Sequence, residues 1–167
     1  YGKIGFGVET NDRQDLASNN NGVSNIQALF NGNLKFEIDF KRFSFDETRH
    51  LNRLIDYEHY KSKKKRIQKL FVEPNNPLSM FKNLDNNGYL IINDSTASVY
   101  KICVKDFKNN RSWITIDIEG DISQDIKQKD NFTSDFFIYA NKTNELVDRN
   151  IEVLFPQNTF YDDFYID

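Results

Sequence analysis

The sequence predicts a mainly β protein, an antiparallel β-sandwich interrupted by one inserted α-helix at about residues 46–60. Three observations carry that prediction. Leu34, Phe36, Ile38 and Phe40 alternate strictly with Lys35, Glu37, Asp39 and Lys41, so one face of that strand is buried and the other is wet. Short apolar runs recur between Asn- and Gly-rich turn signals, the pattern of a two-sheet all-β domain. Ser44-Phe45-Asp46-Glu47 then fits the S-x-x-E capping box at the start of a helix.

In chain order, Ile4, Phe6 and Val8 alternate with Gly5, Gly7 and Glu9 as a first strand. A polar loop, NDRQDLASNNNG, ends in the turn signal Asn21-Gly22. Val23 to Phe30 forms a strand, and Asn31-Gly32 is a two-residue hairpin signal leading into Leu34–Phe40. After the capping box, Leu51, Leu54 and Ile55 follow at helical spacing, with His50 and Tyr57 at the edges. Lys61 to Arg66 (KSKKKR) ends the helix as a solvated loop, in keeping with the helix dipole. Further strands are expected at Leu70–Val72, Leu78–Phe81, Tyr89–Ile92, Val99–Val104 and Trp113–Ile118. Pro74 and Pro77 bracket a turn, and Asn87-Gly88, Asn93-Asp94 and Asn109-Asn110 mark others. The V-x-D-x-x-x-N pattern from Val104 to Asn110 occurs in many immunoglobulin-like domains and is weak alone; with the strand spacing, an immunoglobulin-like sandwich is the expected form.

These signals divide the chain into an immunoglobulin-like sandwich with its helical insertion at 1–120, a polar linker at 121–130, and strands at 131–167. The last part, with runs at Phe136–Tyr139 and Ile151–Phe155 and the aromatic ending FYDDFYID, is either an extension of the sandwich or the start of a second, truncated β domain. About forty residues are too few for a stable sandwich alone. The chain begins at Tyr1 rather than Met, so the natural product is expected to be processed or longer.

Composition excludes some functions. A net charge of -3 offers no electrostatic case for nucleic acid. No apolar run approaches the roughly 18 residues of a membrane span. The single Cys103 lies in a strand pattern and reads as a packed small hydrophobe rather than a nucleophile. Asparagine makes up about one residue in eight, well above ordinary usage, which reads as codon bias in an AT-rich genome.

Several constellations invite a chemical reading. Asn83, Asp85, Asn87, Gly88 and Asp94 nearly match a calcium-binding loop. The first position is Asn, the last is the short Asp, and strands flank it, so a plain hairpin loop is the simpler expectation. His50 and His59 stand nine residues apart on or beside one helix and lack the i, i+4 geometry of a zinc pair. Lys61–Arg66 can meet an acidic polymer or lipid head groups, although a solvated run explains it. Trp113, Tyr89, Tyr100, Tyr161 and Tyr165 are candidates for a glycan-stacking platform, although core packing accounts for most of them equally well. Glu47, Arg49 and Asp56 are candidates for a buried ion-pair network locking helix to sandwich, with Ser44 as the cap. Asn93, Asn131 and Asn141 open N-x-S/T triplets.

GKIGFGVETND at the start, RFSFDETRHLNRLIDY in the middle and VKDFKNNRSWITIDI further on together resemble one arrangement. It is that of the non-catalytic region following the peptidase domain in lysostaphin/LytM-type zinc metalloendopeptidases of Bacteroidetes. The resemblance covers residues 1 to about 120, and NIEVLFPQNTFYDDFYID is similar to the start of a further β domain there. The resemblance implies a cell-envelope protein, periplasmic or outer-membrane-associated, whose parent cleaves peptidoglycan with one zinc. The family's zinc motifs, H-x-x-x-D and a later H-x-H, do not occur in this chain. No catalytic residue, metal or cofactor is therefore expected in this segment, and zinc is expected only in the parent's peptidase domain. The expected function is that of a non-catalytic accessory domain positioning the peptidase or contacting an envelope partner or peptidoglycan. A docking subunit of an outer-membrane or secretion-associated assembly is one alternative, and a glycan-binding module another. Against such a background Asp94-Ser95-Thr96 resembles the short Bacteroidetes sequon for O-glycosylation at Ser95, while the N-x-S/T triplets mean nothing.

Overall fold

The computed structural model describes residues 2–13, 20–121 and 133–166. The chain is mainly β, with antiparallel sheets throughout and two short α-helices among the described residues. It divides into two compact units. The first comprises Tyr1–Val72 and Pro77–Asp125, the second Glu73–Asn76 and Ile126–Asp167. No helix among the described residues is long and apolar enough to cross a membrane.

The first unit is organised by a five-stranded sheet. Its strands are β5 (Asn25–Phe30), β6 (Asn33–Asp39), β8 (Phe81–Leu84), β10 (Ser98–Lys105) and β11 (Arg111–Ile118), in the order β11-β10-β5-β6-β8. The turn joining β5 to β6 uses Asn31 and Gly32 with φ of 49° and 81°, the left-handed pair a tight two-residue hairpin requires. The turn joining β10 to β11 is held by Asp106, whose carboxylate accepts from the backbone N–H of Lys108 at 2.8 Å and of Asn110 at 2.9 Å. The alternation in β6 is realised: Phe36 and Ile38 are buried, while Glu37 on the opposite face accepts from the Asn25, Gln27 and Asn83 amides.

The other strands of this unit pair two by two: β1 (Gly2–Ile4) with β9 (Leu90–Ile92), β2 (Gly7–Glu9) with β7 (Ile67–Lys69), and β3 (Asp12–Arg13) with β4 (Asn20–Asn21). The single strand expected over Ile4–Val8 is therefore two, broken at Gly5-Phe6, because the chain changes partner there. A side chain at Gly5 would run into the Phe71 ring. Residues of these ribbons and their connections, including Val8, Leu54, Leu70, Met80 and Leu90, share one core with Ile26, Phe36, Ile38, Tyr100 and Ile102 of the large sheet. Phe6 stacks on Tyr100 with ring centroids 4.3 Å apart. Leu70 and Val72 are buried as their apolar character requires, but the strand lies just before them at Ile67–Lys69. Leu78 and Met80 likewise precede the strand that starts at Phe81.

The expected single helix over 46–60 is instead three pieces. A 3-10 turn at Phe45–Glu47 runs into α1 (Thr48–Leu51), and α2 (Tyr57–Lys63) follows after a gap. The gap has a backbone cause. Ile55 bridges Gln68, the Lys69 N–H donates to the Leu54 carbonyl at 2.8 Å, and the Asp56 N–H donates to the Ile67 carbonyl at 2.9 Å. Pairing with the edge of β7 takes these groups out of any helix. Asp56 then starts α2 afresh, its carboxylate accepting from the His59 N–H at 2.9 Å. The helix runs on through Lys61 to Lys63 and ends at Lys64, which has φ of 59°.

The second unit holds β12 (Phe136–Ile138) paired with β15 (Phe164–Ile166), and β13 (Asn144–Asp148) paired with β14 (Ile151–Phe155). Strand β13 had no sequence signal beyond Leu146 and Val147. Asn144 is buried and closes the 139–144 turn: its Oδ1 accepts from the Tyr139 N–H at 2.8 Å, and its Nδ2 donates to the Tyr139 and Lys142 carbonyls. The aromatic ending is packed, with Phe160 edge-on to both Phe155 and Phe164. The expected linker at 121–130 lies, apart from Asp121, outside the described residues, as does Asn131.

Candidate functional site

The most concentrated surface feature is a basic cleft beside α2. Residues 61–66 place five cations within six positions, and the left-handed turn at Lys64 sends the chain back toward β7. Because β7 pairs with β2, this run lies beside Glu9 and Thr10 although more than fifty residues separate them in sequence. Two adjoining hollows result. One of about 520 Å³ is lined by Thr10, Tyr60, Lys64, Arg66 and Gln68 among others. The other, of about 450 Å³, is lined by Gly7, His59, Lys63 and Ile67. Glu9 and Lys65 border both.

Among the described lining residues one carboxylate, that of Glu9, faces these cations. Glu9 pairs with Lys65 at 3.4 Å. Lys64 Nζ stands 5.9 Å and Arg66 Cζ 5.4 Å from the centre of the Tyr60 ring, within reach of cation–π attraction. The ring thus holds two cations beside the same hollow, where Thr10 and Gln68 add hydrogen-bonding groups joined at 3.3 Å. Such an arrangement suits an extended anionic ligand carrying carboxylate or phosphate. Tyr60 and Gln68 flank the basic run in sequence, but Glu9 and Thr10 could not be found from sequence, because only the β2–β7 pairing brings them to it.

The other candidates fall elsewhere. The calcium-loop residues do not form a hairpin loop, since β8 pairs with β6 and β9 with β1. Asp85 is ion-paired with Lys35, the Asn83 amide donates to Glu37, and Asp94 accepts from the Thr96 N–H at 3.0 Å. Asn87 is in a left-handed conformation within a 3-10 turn. Among the described residues no three His, Cys, Asp or Glu side chains group so as to hold a metal. His50 and His59 lie on different helices, not one, and the His50 ring accepts from Arg49 Nε at 3.2 Å.

The expected buried network of Glu47, Arg49 and Asp56 is replaced by two separate caps. The Ser44 hydroxyl accepts from the Asp46 N–H, and the Glu47 carboxylate accepts from the Ser44 N–H. Glu47 also accepts from both the N–H and the hydroxyl of Ser79. These bonds, the Ser44 N–H foremost, hold its carboxyl below the usual value of 4.5. Arg49 is exposed, and Asp56 caps α2. Helix and capping turn are short and half-exposed, so there is no interior in which a charge network would form.

The five aromatics do not make one platform. Tyr100 is fully buried and its phenol is pushed well above the usual range by burial. Tyr89 packs on Phe71 under Lys3, Trp113 lies exposed on β11, and Tyr161 and Tyr165 belong to the second unit. Cys103 is buried in β10. Ser95 is exposed in the turn after β9. No protein-family model matches the chain, and no curated protein or solved structure matches it either.

Proposed function

We propose that the chain is a non-catalytic binding module of a cell-envelope protein, and that the basic cleft beside α2 is its ligand surface. The observation that carries this reading is the convergence of Lys64 and Arg66 on the Tyr60 ring at the rim of a hollow whose described lining residues include one carboxylate, Glu9. The ligand class is an anionic envelope polymer. Peptidoglycan is the preferred case, given the resemblance to the region that follows the peptidase domain in lysostaphin/LytM-type zinc endopeptidases. In this proposal the module holds a zinc peptidase domain near its substrate and performs no chemistry itself. An immunoglobulin-like architecture goes with it, the five-stranded sheet forming one layer and the β1–β9 and β2–β7 ribbons contributing to the other. A docking subunit of an outer-membrane or secretion-associated assembly is the second reading, favoured by the exposure of Trp113 and Ile114 on β11.

Co-sedimentation with purified peptidoglycan sacculi tests the first reading. The protein should pellet with sacculi, and binding should weaken as salt rises. Lys64→Glu with Arg66→Glu should reduce it by about tenfold or more. Equal binding by the variant would remove the cleft from the proposal, and no binding by the wild type would remove the ligand class. Mass spectrometry of the native protein tests the peptidase connection separately, since H-x-x-x-D and H-x-H motifs are then expected in the same polypeptide.

A further inference from the structure

The two edges of the five-stranded sheet are built differently. Strand β8 is four residues long, carries Lys82, and joins β6 through a register shift between Glu37 and Ile38. These are the devices by which proteins blunt an edge. Strand β11 lacks the short length and the register shift, and its two charges, Arg111 and Asp117, are of opposite sign and stand toward its two ends. It is eight residues long, contains no proline, and pairs with β10 in unbroken register from Arg111 opposite Lys105 to Ile118 opposite Ser98. It exposes Trp113 (52%) on one face and Ile114 (43%) on the other.

The hydrogen-bond parity of this edge follows from its neighbours. The Asp106 N–H donates to the Asn110 carbonyl, whereas the carbonyls of Val99 and Lys105 accept from the β5 side, from Asn31 and Ser24. Even-numbered residues of β10 therefore bond to β11 and odd-numbered ones to β5. In register, β11 turns the N–H and C=O of Ser112, Ile114, Ile116 and Ile118 toward β10. Those of Arg111, Trp113, Thr115 and Asp117 point outward from the sheet.

We propose that β11 pairs antiparallel with β11 of a second copy of this chain, about a two-fold axis at Ile114. Only odd residues face outward, so a hydrogen-bonded pairing must set odd against odd. With the axis at Ile114, Arg111 meets Asp117 of the other copy, Trp113 meets Thr115, and each pair exchanges two backbone hydrogen bonds. The Arg111–Asp117 contact occurs twice by symmetry, at both ends of the strand, with opposite charges directly across. The two Ile114 side chains meet at the axis on the opposite face and cover each other. The strand is thus complementary to its own inverse in backbone parity, charge and apolar contact, as a two-fold interface requires.

Sedimentation velocity of the full chain over a concentration series tests this. A contact of this size lies at the low end of stable interfaces, so the expected result is a monomer–dimer equilibrium with a dissociation constant of roughly 1–100 μM. Arg111→Asp sets like charges across the axis and should weaken the dimer about tenfold or more. Adding Asp117→Arg should restore it. Thr115→Pro removes one outward N–H while leaving the bonds to β10, and should give a monomer with unchanged circular dichroism. A wild type that stays monomeric throughout the series, or a double charge swap that fails to restore the dimer, overturns the proposal. So does a Thr115→Pro protein that is folded and still dimeric.

Discussion

Glu47 accepts two hydrogen bonds from Ser79, one from its backbone N–H at 2.8 Å and one from its hydroxyl at 3.0 Å. The same carboxylate accepts from the Ser44 N–H at 3.1 Å. One side chain therefore closes the capping turn and ties it to the segment that carries buried Leu78 and Met80. Replacing Ser44 with Ala removes only the hydroxyl of the cap, which should cost about 1 kcal/mol. Glu47→Ala removes the reciprocal bond and the link to Ser79 together and should lower the melting temperature further. The double variant should melt close to Glu47→Ala alone, because the two changes strike one unit. Thermal melts of the three proteins check this, and additive shifts would show that cap and link act independently.

Tyr100 is the largest fully buried side chain, and its hydroxyl has no hydrogen-bond partner among the described residues. Its ring stacks on Phe6, so the apolar part is well used. Burying an unsatisfied hydroxyl costs about 1–3 kcal/mol. Tyr100→Phe keeps the ring and should leave stability unchanged or raise it, by up to about 2 kcal/mol. Tyr100→Ala should lose about 3–5 kcal/mol through the cavity left behind. Urea unfolding of both variants separates ring from hydroxyl, and a destabilised Tyr100→Phe would contradict the absence of a partner.

The reading of β6, its hairpin at Asn31-Gly32 and the capping box at Ser44 succeeded because each rests on local chemistry: alternation, left-handed turn residues and a side chain reaching its own backbone. The helix boundaries failed at Leu54–Asp56 because a non-local bridge to β7 competes there, and periodicity sees only neighbours along the chain. The apolar run Leu70–Val72 points to a strand, yet Leu70 and Val72 are buried outside one, since burial and β pairing are separate properties. The basic run was legible as charge. The cleft was not, because its other wall, Glu9 and Thr10, meets the run only through the β2–β7 ladder. The sequence leaves the five aromatics open between a stacking platform and core packing, and Tyr100 and Trp113 differ in burial for a reason that composition cannot carry: one is on an inner strand facing the core, the other on an edge.

Glu37 lies on the outer face of β6, where burial acts to raise its pKa. The amides of Gln27, Asn25 and Asn83 and the charge of Lys105 outweigh that and hold it below the usual 4.5. These bonds span β5, β6 and β8, so the ionised carboxylate joins three strands. A carboxyl whose folded value is depressed stabilises fully above its unfolded value, and that contribution is lost as pH falls through the folded value. Glu37→Gln replaces one accepting oxygen with a donating amide that faces other donors, and should lower the melting temperature by a few degrees at pH 7. The gap between wild type and variant should hold while pH stays above the usual carboxyl value of 4.5 and close as pH falls below it. Melting temperatures of the two proteins across that range check the prediction. A gap that persists at low pH would mean that Glu37 acts through packing rather than through its charge.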